Sequence, residues 1–255
     1  MMGITQILYA DIYRITKNKI VLLTLFIPQL LVLLLSYLQF ENTISAAATG
    51  YDIWVIYSKD ILMVLSFVLP LFAIVYPFVI LENEHRHNGL RTHSILPLKM
   101  GNYFVSKLLL IWMFLVYTTI FSSLLLLIIG YIIGALFGIK EFVLYSPTII
   151  GGFTVGILLI SLFVSSVHLV LNIFFKNFLV NTLPFLLILF PSFFLYNWKY
   201  YFLNIYSYPF RLMNSLQLDY VIINDLTSII CFIGLMLSLI IIRYLIPKCQ
   251  YIWIN

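Results

Sequence analysis

The sequence predicts an all-α integral membrane protein with six membrane-spanning helices. Hydrophobic residues make up 63% of the 255-residue chain and charged residues only 9%, whereas charged residues are about 25% of a soluble domain. The apolar residues gather in six stretches without Lys, Arg, Asp or Glu: Ile20–Phe40, Ile61–Leu81, Leu108–Tyr131, Thr148–Leu171, Phe178–Tyr196 and Leu226–Ile242. Each is close to the roughly 20 residues that a helix needs to cross a bilayer. The spans and their connections use up the length, so we expect residues 1–255 to form one membrane domain.

The uncharged spans also exclude some functions. A charge at the centre of a membrane helix costs about 2.5–3.5 kcal/mol, and such charges mark ion and proton pathways. A proton pump, an ion-coupled transporter and a voltage sensor are therefore disfavoured, and any transport would take its energy from a partner. The two cysteines, Cys231 and Cys249, have no metal-type spacing.

The distribution of basic residues predicts that both termini are cytoplasmic. With that orientation, ten of the 14 basic residues lie inside and four lie outside, as the positive-inside rule requires. The four outside are Lys59, Lys140, Lys199 and Arg211. The first apolar stretch is longer than the 7–15 residues of a signal-peptide core, so we expect it to be retained.

Residues 1–19 predict an amphipathic helix in the cytoplasmic interface. Ile4, Ile7, Leu8, Ile12 and Ile15 recur at helical spacing, and the polar residues, Asp11 among them, fall mostly on other faces. The segment 197–225 between the last two spans is rich in Tyr and Trp, which prefer the membrane interface. We expect it to lie outside, with short helices on or dipping into the outer leaflet.

Glycines at four-residue spacing flank the loop between the third and fourth spans. Small residues at this spacing let helix backbones approach closely, so we expect these two spans to pack together. The glycines are Gly130, Gly134, Gly138, Gly152 and Gly156.

Residues 82–107 form the longest polar stretch and predict a short amphipathic cytoplasmic helix. It begins with acids, is broken at Gly89 and stops near Pro97. The apolar side chains Leu90, Ile95, Leu96 and Leu98 suit docking into a groove on a partner.

This loop resembles that of the ABC-2 superfamily of ABC exporter permeases. The family pattern is E-x-E, a glycine followed by Thr or Leu, a leucine–proline turn, and a lysine before the third span. The matching positions are Glu82, Glu84, Gly89, Leu90, Leu96, Pro97 and Lys107. Leu90 stands where threonine is frequent. In outline the resemblance covers nearly the whole chain, including an N-terminal elbow helix, and within the superfamily it is greatest to the lantibiotic-immunity and amphipathic-peptide exporter permeases of Gram-positive bacteria.

The resemblance implies a transport subunit in a bacterial plasma membrane rather than an enzyme. The loop would be a coupling helix on a separate ATP-binding subunit, which would hold ATP and Mg²⁺, because this chain has no phosphate-binding P-loop. The permease would pair with an identical or related permease and export hydrophobic or amphipathic peptides; export of a lipid-linked glycan stays open. The residues expected at the ATPase contact are Glu82, Glu84, Gly89, Leu90, Arg91, Ile95, Leu96, Pro97 and Lys107.

Two other interpretations use the histidines. His85, His87 and His93 lie with Glu82 and Glu84 in one loop, but His85 and His87 point to different helical faces, so we expect no metal site. His168 and Asn172, one turn apart, resemble part of the motif set of an abortive-infection type membrane protease, but Glu82 and Glu84 are not adjacent. A membrane protein without a transport role is a further alternative. We expect His168 to bond another helix.

Overall fold

The computed structural model describes residues 4–17, 19–47, 53–86, 100–140, 142, 147–175, 177, 180, 182–195, 198–200, 203–217 and 226–246. Within these ranges the chain is helical and contains no strand. The helices are α1 (Ile4–Thr16), α2 (Lys19–Leu38), α3 (Phe40–Ala47), α4 (Ile53–Arg86), α5 (Met100–Phe137), α6 (Thr148–Phe174), α7 (Leu183–Leu195), α8 (Tyr208–Gln217) and α9 (Leu226–Ile240). A 3₁₀ turn (Ile205–Ser207) precedes α8, and a π-helical turn (Ile241–Leu245) extends α9.

Five helical segments of the described chain are long and apolar enough to cross a membrane: Val21–Leu38, Ile53–Glu82, Met100–Phe137, Thr148–Phe174 and Thr227–Leu245. They correspond to five of the six predicted spans. The remaining prediction, Phe178–Tyr196, falls on α7, which has 13 residues. At 1.5 Å per residue α7 covers about 20 Å, less than the roughly 30 Å of the hydrocarbon core. The six-span count is therefore not confirmed.

Several helices extend beyond the predicted membrane spans. α4 begins eight residues before the predicted Ile61, and α5 begins at Met100 rather than at Leu108. The segment 41–60 between the first two predicted spans holds most of α3 and the first turns of α4. Helical hydrogen bonding continues past the end of an apolar stretch, so the stretch marks the part of a helix suited to the membrane and not its ends.

The core of the bundle is formed by α4, α5 and α6. α4 packs along α6, α5 contacts both, and α2, α8 and α9 cover this group from the outside. Trp54, Tyr57 and Tyr76 of α4 are fully or almost fully buried in it, as are Phe104 of α5 and Phe153 of α6. Within the described part of the chain, Asp11 and Lys107 are the buried residues that carry a formal charge.

The helix α1 packs on this bundle by the stripe that its sequence predicts. Ile7 is buried, and Ile4, Leu8, Ile12 and Ile15 are half-buried. Asp11 was expected on a polar face, but it faces the bundle and is 8% exposed. It lies one turn after Ile7 and one turn before Ile15, so it belongs to the apolar stripe. The position of α1 in a membrane interface stays a prediction.

Candidate functional site

A buried ion pair joins α1 to α5. The ammonium Nζ of Lys107 donates a hydrogen bond of 2.6 Å to Oδ1 of Asp11. The same ammonium group lies 4.9 Å from the centre of the Tyr103 ring, which adds a cation–π contact. A charge buried away from water is stable only when it is paired. The pair therefore fixes α1 to one position on α5.

Four helices meet beside this ion pair. A small cavity of about 20 Å³ is lined by residues of α1, α2, α4 and α5, and this volume suffices for about one water molecule. The lining includes Val21 of α2 and Val79 and Ile80 of α4. It also includes Asp11 of α1 and Lys107 of α5, which form the ion pair. We call this place the four-helix junction.

The junction lies beside the segment that the sequence predicts as the coupling helix. α4 ends at Arg86, six residues after Ile80, and α5 begins at Met100, seven residues before Lys107. α4 precedes the segment 87–99 and α5 follows it. Both helices line the junction, and so does α1.

The predicted ATPase-contact residues fall into three groups. Glu82 is half-buried in the last turns of α4, and Glu84 belongs to the same helical end. Lys107 was predicted in a loop, but it lies inside α5 and is buried on Asp11. The remaining positions, Gly89, Leu90, Arg91, Ile95, Leu96 and Pro97, lie outside the described residues, as do His87 and His93. In the part of the chain that the structure describes, no three His, Cys, Asp or Glu side chains gather into a metal-type group.

α5 and α6 pack together, but the glycines that led to this prediction have other neighbours. The helices are joined by hydrogen bonds from Thr154 to Ser123 (2.7 Å) and from Trp112 to Ser166 (3.3 Å). A Cβ atom on Gly130 would lie 2.6 Å from the Trp54 ring of α4, and one on Gly156 would lie 2.6 Å from Leu212 of α8.

The other three glycines differ in role. A Cβ atom on Gly134 would lie 2.9 Å from Phe142, beyond the end of α5, and Gly152 is half-buried in α6. Gly138 was predicted to pack between helices, but no atom lies within 4 Å of the place where its Cβ would be. Its φ of +66° ends α5 in a left-handed turn, in which the N–H of Ile139 bonds the carbonyl of Gly134.

Hydroxyl groups bridge helices inside the bundle. The hydroxyl of Tyr57 in α4 lies 3.0 Å from the Ser36 hydroxyl in α2 and 3.4 Å from the Leu126 carbonyl in α5. The indole N–H of Trp54 donates to the carbonyl of Phe142. These bonds satisfy polar groups without placing a charge in the interior.

The segment after α7 turns back into the bundle. His168 Nε2 in α6 shares a hydrogen bond of 2.8 Å with the Tyr206 hydroxyl, so the expected bond to another element is present. The Phe185 ring of α7 lies edge-on against His168, with the ring centres 4.8 Å apart. Residues 206–210 are all buried. Short helical elements were expected in the segment 197–225, and its part 203–217 contains them and packs against α4, α6 and α7. Its location on the outer side of the membrane stays a prediction.

The same histidine does not support the protease interpretation. The side-chain amide of Asn172 donates to the backbone carbonyl of His168, at 2.8 Å. Nδ1 of His168 is buried and has no hydrogen-bond partner within the described part of the chain.

These features define a multi-pass helical membrane protein whose interior carries no charge among the described residues except the Asp11–Lys107 pair. A family model described as "ABC-2 family transporter protein" matches residues 7–194, and the chain belongs to this family. The chain is therefore the permease component of an ABC transporter, and such a permease works with an ABC ATP-binding subunit. No curated protein sequence and no solved structure matches the chain.

Proposed function

We propose that this permease is part of an ATP-driven exporter of hydrophobic or amphipathic peptides. In this proposal, ATP-binding subunits dock on residues 82–107, and two permeases, identical or related, rock against each other when those subunits close. The termini and this segment are cytoplasmic. The biological role is peptide secretion or immunity to antimicrobial peptides, as in the lantibiotic-type permeases.

The four-helix junction is the observation that carries the coupling part of the proposal. α4 and α5 have 34 and 38 residues, so at 1.5 Å per residue they are about 51 and 57 Å long. Both exceed the roughly 30 Å of a hydrocarbon core. Their connected ends carry Glu82, Glu84 and the segment 87–99, which suits a platform beyond the membrane surface. In the proposal, a movement of these helix ends is transmitted to α1 through the buried Asp11–Lys107 pair.

The interior supports an apolar cargo. The described core contains aromatic rings, hydroxyl groups and His168, but no charged side chain besides the pair at the junction. An amphipathic peptide can present an apolar face to such surfaces. Large apolar side chains on α7 and α9 are exposed in the single chain, among them Phe190, Phe194 and Phe232. These faces are available to lipid and to a second permease.

ATP hydrolysis by the reconstituted transporter tests the cargo. The permease and its ATP-binding subunit would be placed in proteoliposomes and supplied with an amphipathic helical peptide, with a charged peptide of equal length, or with a lipid-linked glycan. The proposal predicts that the amphipathic peptide raises the ATPase rate several-fold and the charged peptide does not. Stimulation by the glycan lipid alone would contradict peptide export and support the alternative cargo.

A further inference from the structure

A second cavity lies at the end of the bundle opposite to the junction. It has a volume of about 130 Å³ and opens between α4, α7 and α8. Lys59, Met63 and Ser66 of α4 form one wall. Lys59 precedes the junction residue Val79 by 20 positions, which is about 30 Å along the helix at 1.5 Å per residue. The cavity is therefore separated from the junction by about the thickness of a hydrocarbon core.

The walls of this cavity are mostly apolar and adaptable. Phe193 of α7 packs edge-on against Phe210 of α8, with the ring centres 5.4 Å apart. Met63 and Met213 complete the apolar lining. Methionine side chains adjust their shape and make favourable contacts with aromatic rings. The lining thus suits an apolar group of variable shape.

Two hydrogen-bond donors at the cavity have no partner among the described residues. Lys59 is exposed and Asn214 is half-buried, and neither makes a hydrogen bond or ion pair with another described side chain. The third polar group, the Ser66 hydroxyl, donates to the carbonyl of Met63. A positive charge beside an apolar cavity suits a ligand that carries an anion next to an apolar group.

The volume of the cavity limits the size of the group that it can bind. An apolar protein cavity of about 150 Å³ holds one benzene molecule, so a cavity of about 130 Å³ has room for one aromatic or branched side chain. A lipid acyl chain is much larger. The C-terminal residue of a peptide carries an apolar side chain and a carboxylate on the same residue, within reach of one lysine.

We infer that this cavity binds the C-terminal residue of the peptide cargo, with its side chain between Met63, Phe210 and Met213 and its carboxylate on Lys59. The inference rests on the proposed function, because it names the part of the peptide that the permease recognises. An amidated C-terminus loses the charge and binds more weakly. A peptide that ends in a charged residue does not fill the cavity.

Photo-crosslinking tests the inference on the full-length permease in nanodiscs. The probe is a 20-residue amphipathic peptide that ends in photoleucine, whose side chain is about the size of leucine and whose diazirine gives on irradiation a carbene that inserts into adjacent side chains. It is made with a free carboxylate and, as a matched control, with a C-terminal amide. The acid should label Met63 or Met213, and the amide should label them about tenfold less, which equals about 1.4 kcal/mol.

Lys59→Gln should reduce labelling by the acid to the level of the amide and leave labelling by the amide unchanged. The matched variant Lys140→Gln removes an exposed lysine that does not line the cavity and should change neither. Equal labelling by the two peptides, labelling mapped to other residues, or displacement of the probe by anionic phospholipid but not by unlabelled acid peptide would overturn the inference.

The outcome is separable from that of the proposed function. Crosslinking needs no ATP-binding subunit, whereas stimulated ATP hydrolysis does. If the amphipathic peptide stimulates hydrolysis but acid and amide label equally, the assignment of the cavity fails and peptide export stands. If the peptide neither stimulates hydrolysis nor labels the cavity, both fail.

Discussion

Lys107 and Asp11 are 96 residues apart in the chain, yet Nζ of Lys107 lies 2.6 Å from Oδ1 of Asp11 inside the protein. The pair connects the first helix to the helix that follows the predicted coupling segment. The second carboxylate oxygen of Asp11, Oδ2, is buried without a hydrogen-bond partner among the described residues. The carboxylate of Asp11 therefore depends on Lys107 for the hydrogen bond that joins α1 to α5.

Removal of one partner should be more harmful than removal of both. Lys107→Met leaves a buried carboxylate unpaired, and such a change lowers the free energy of unfolding by about 3–5 kcal/mol. Combining it with Asp11→Leu removes both charges and should restore most of that loss. Denaturant unfolding of the purified permease in detergent measures these differences.

The control for these single and double variants is Lys140→Met. It removes an exposed lysine and should change the free energy of unfolding by less than about 0.5 kcal/mol. Strictly additive effects of Asp11→Leu and Lys107→Met would contradict the pair as the bond that holds α1.

Gly130 should tolerate no side chain. A Cβ atom there would lie 2.6 Å from Trp54, whose ring is fully buried and whose indole N–H is bonded to Phe142. Gly130→Ala should therefore lower the free energy of unfolding by about 1–3 kcal/mol. Gly151→Ala is the matched control, because its Cβ meets open space and alanine favours a helix. Thermal unfolding should give a lower melting temperature for Gly130→Ala than for Gly151→Ala. Equal melting temperatures would refute the close contact.

The hydrogen bond between His168 and Tyr206 should hold residues 203–217 in the bundle. Tyr206→Phe removes the hydroxyl and leaves the buried imidazole with one fewer partner, which costs about 1–3 kcal/mol. When His168 is already replaced by leucine, Tyr206→Phe should lower the free energy of unfolding by less. Tyr37→Phe, at a tyrosine that is 79% exposed, serves as the control. The prediction is wrong if Tyr206→Phe has the same effect in both backgrounds.

Much of the helical framework was predictable from the sequence. Uncharged apolar stretches identify the five membrane-length helices of the described chain. The spacing of Ile7 and Ile15 identifies the face of α1 that packs on the bundle. These features depend on local periodicity and on the cost of charge in a membrane. The sequence pattern does not identify the partners of the glycines, because Gly130 meets a ring that lies 76 residues earlier in the chain.

The junction was missed for a related reason. Asp11 was assigned to a polar face, although it continues the apolar stripe from Ile7, and an acid on such a stripe indicates a buried basic partner. That signal predicts a partner but not which one, because the pairing with Lys107 depends on tertiary packing. The packing of residues 203–217 against the bundle was likewise not predicted, since Tyr and Trp favour the interface as well as protein interiors.

The most direct test of the coupling account is recovery of the ATP-binding subunit with the tagged permease from its native cells in gentle detergent, followed by mass spectrometry. Wild type would be compared with a Leu96→Asp, Pro97→Gly double variant in the predicted coupling segment and with Leu203→Asp, an exposed leucine outside that segment. Gel filtration would confirm that all three proteins are folded. The account predicts that wild type and Leu203→Asp retain the ATP-binding subunit and the double variant loses it. Equal recovery from all three, or recovery from none, would contradict it.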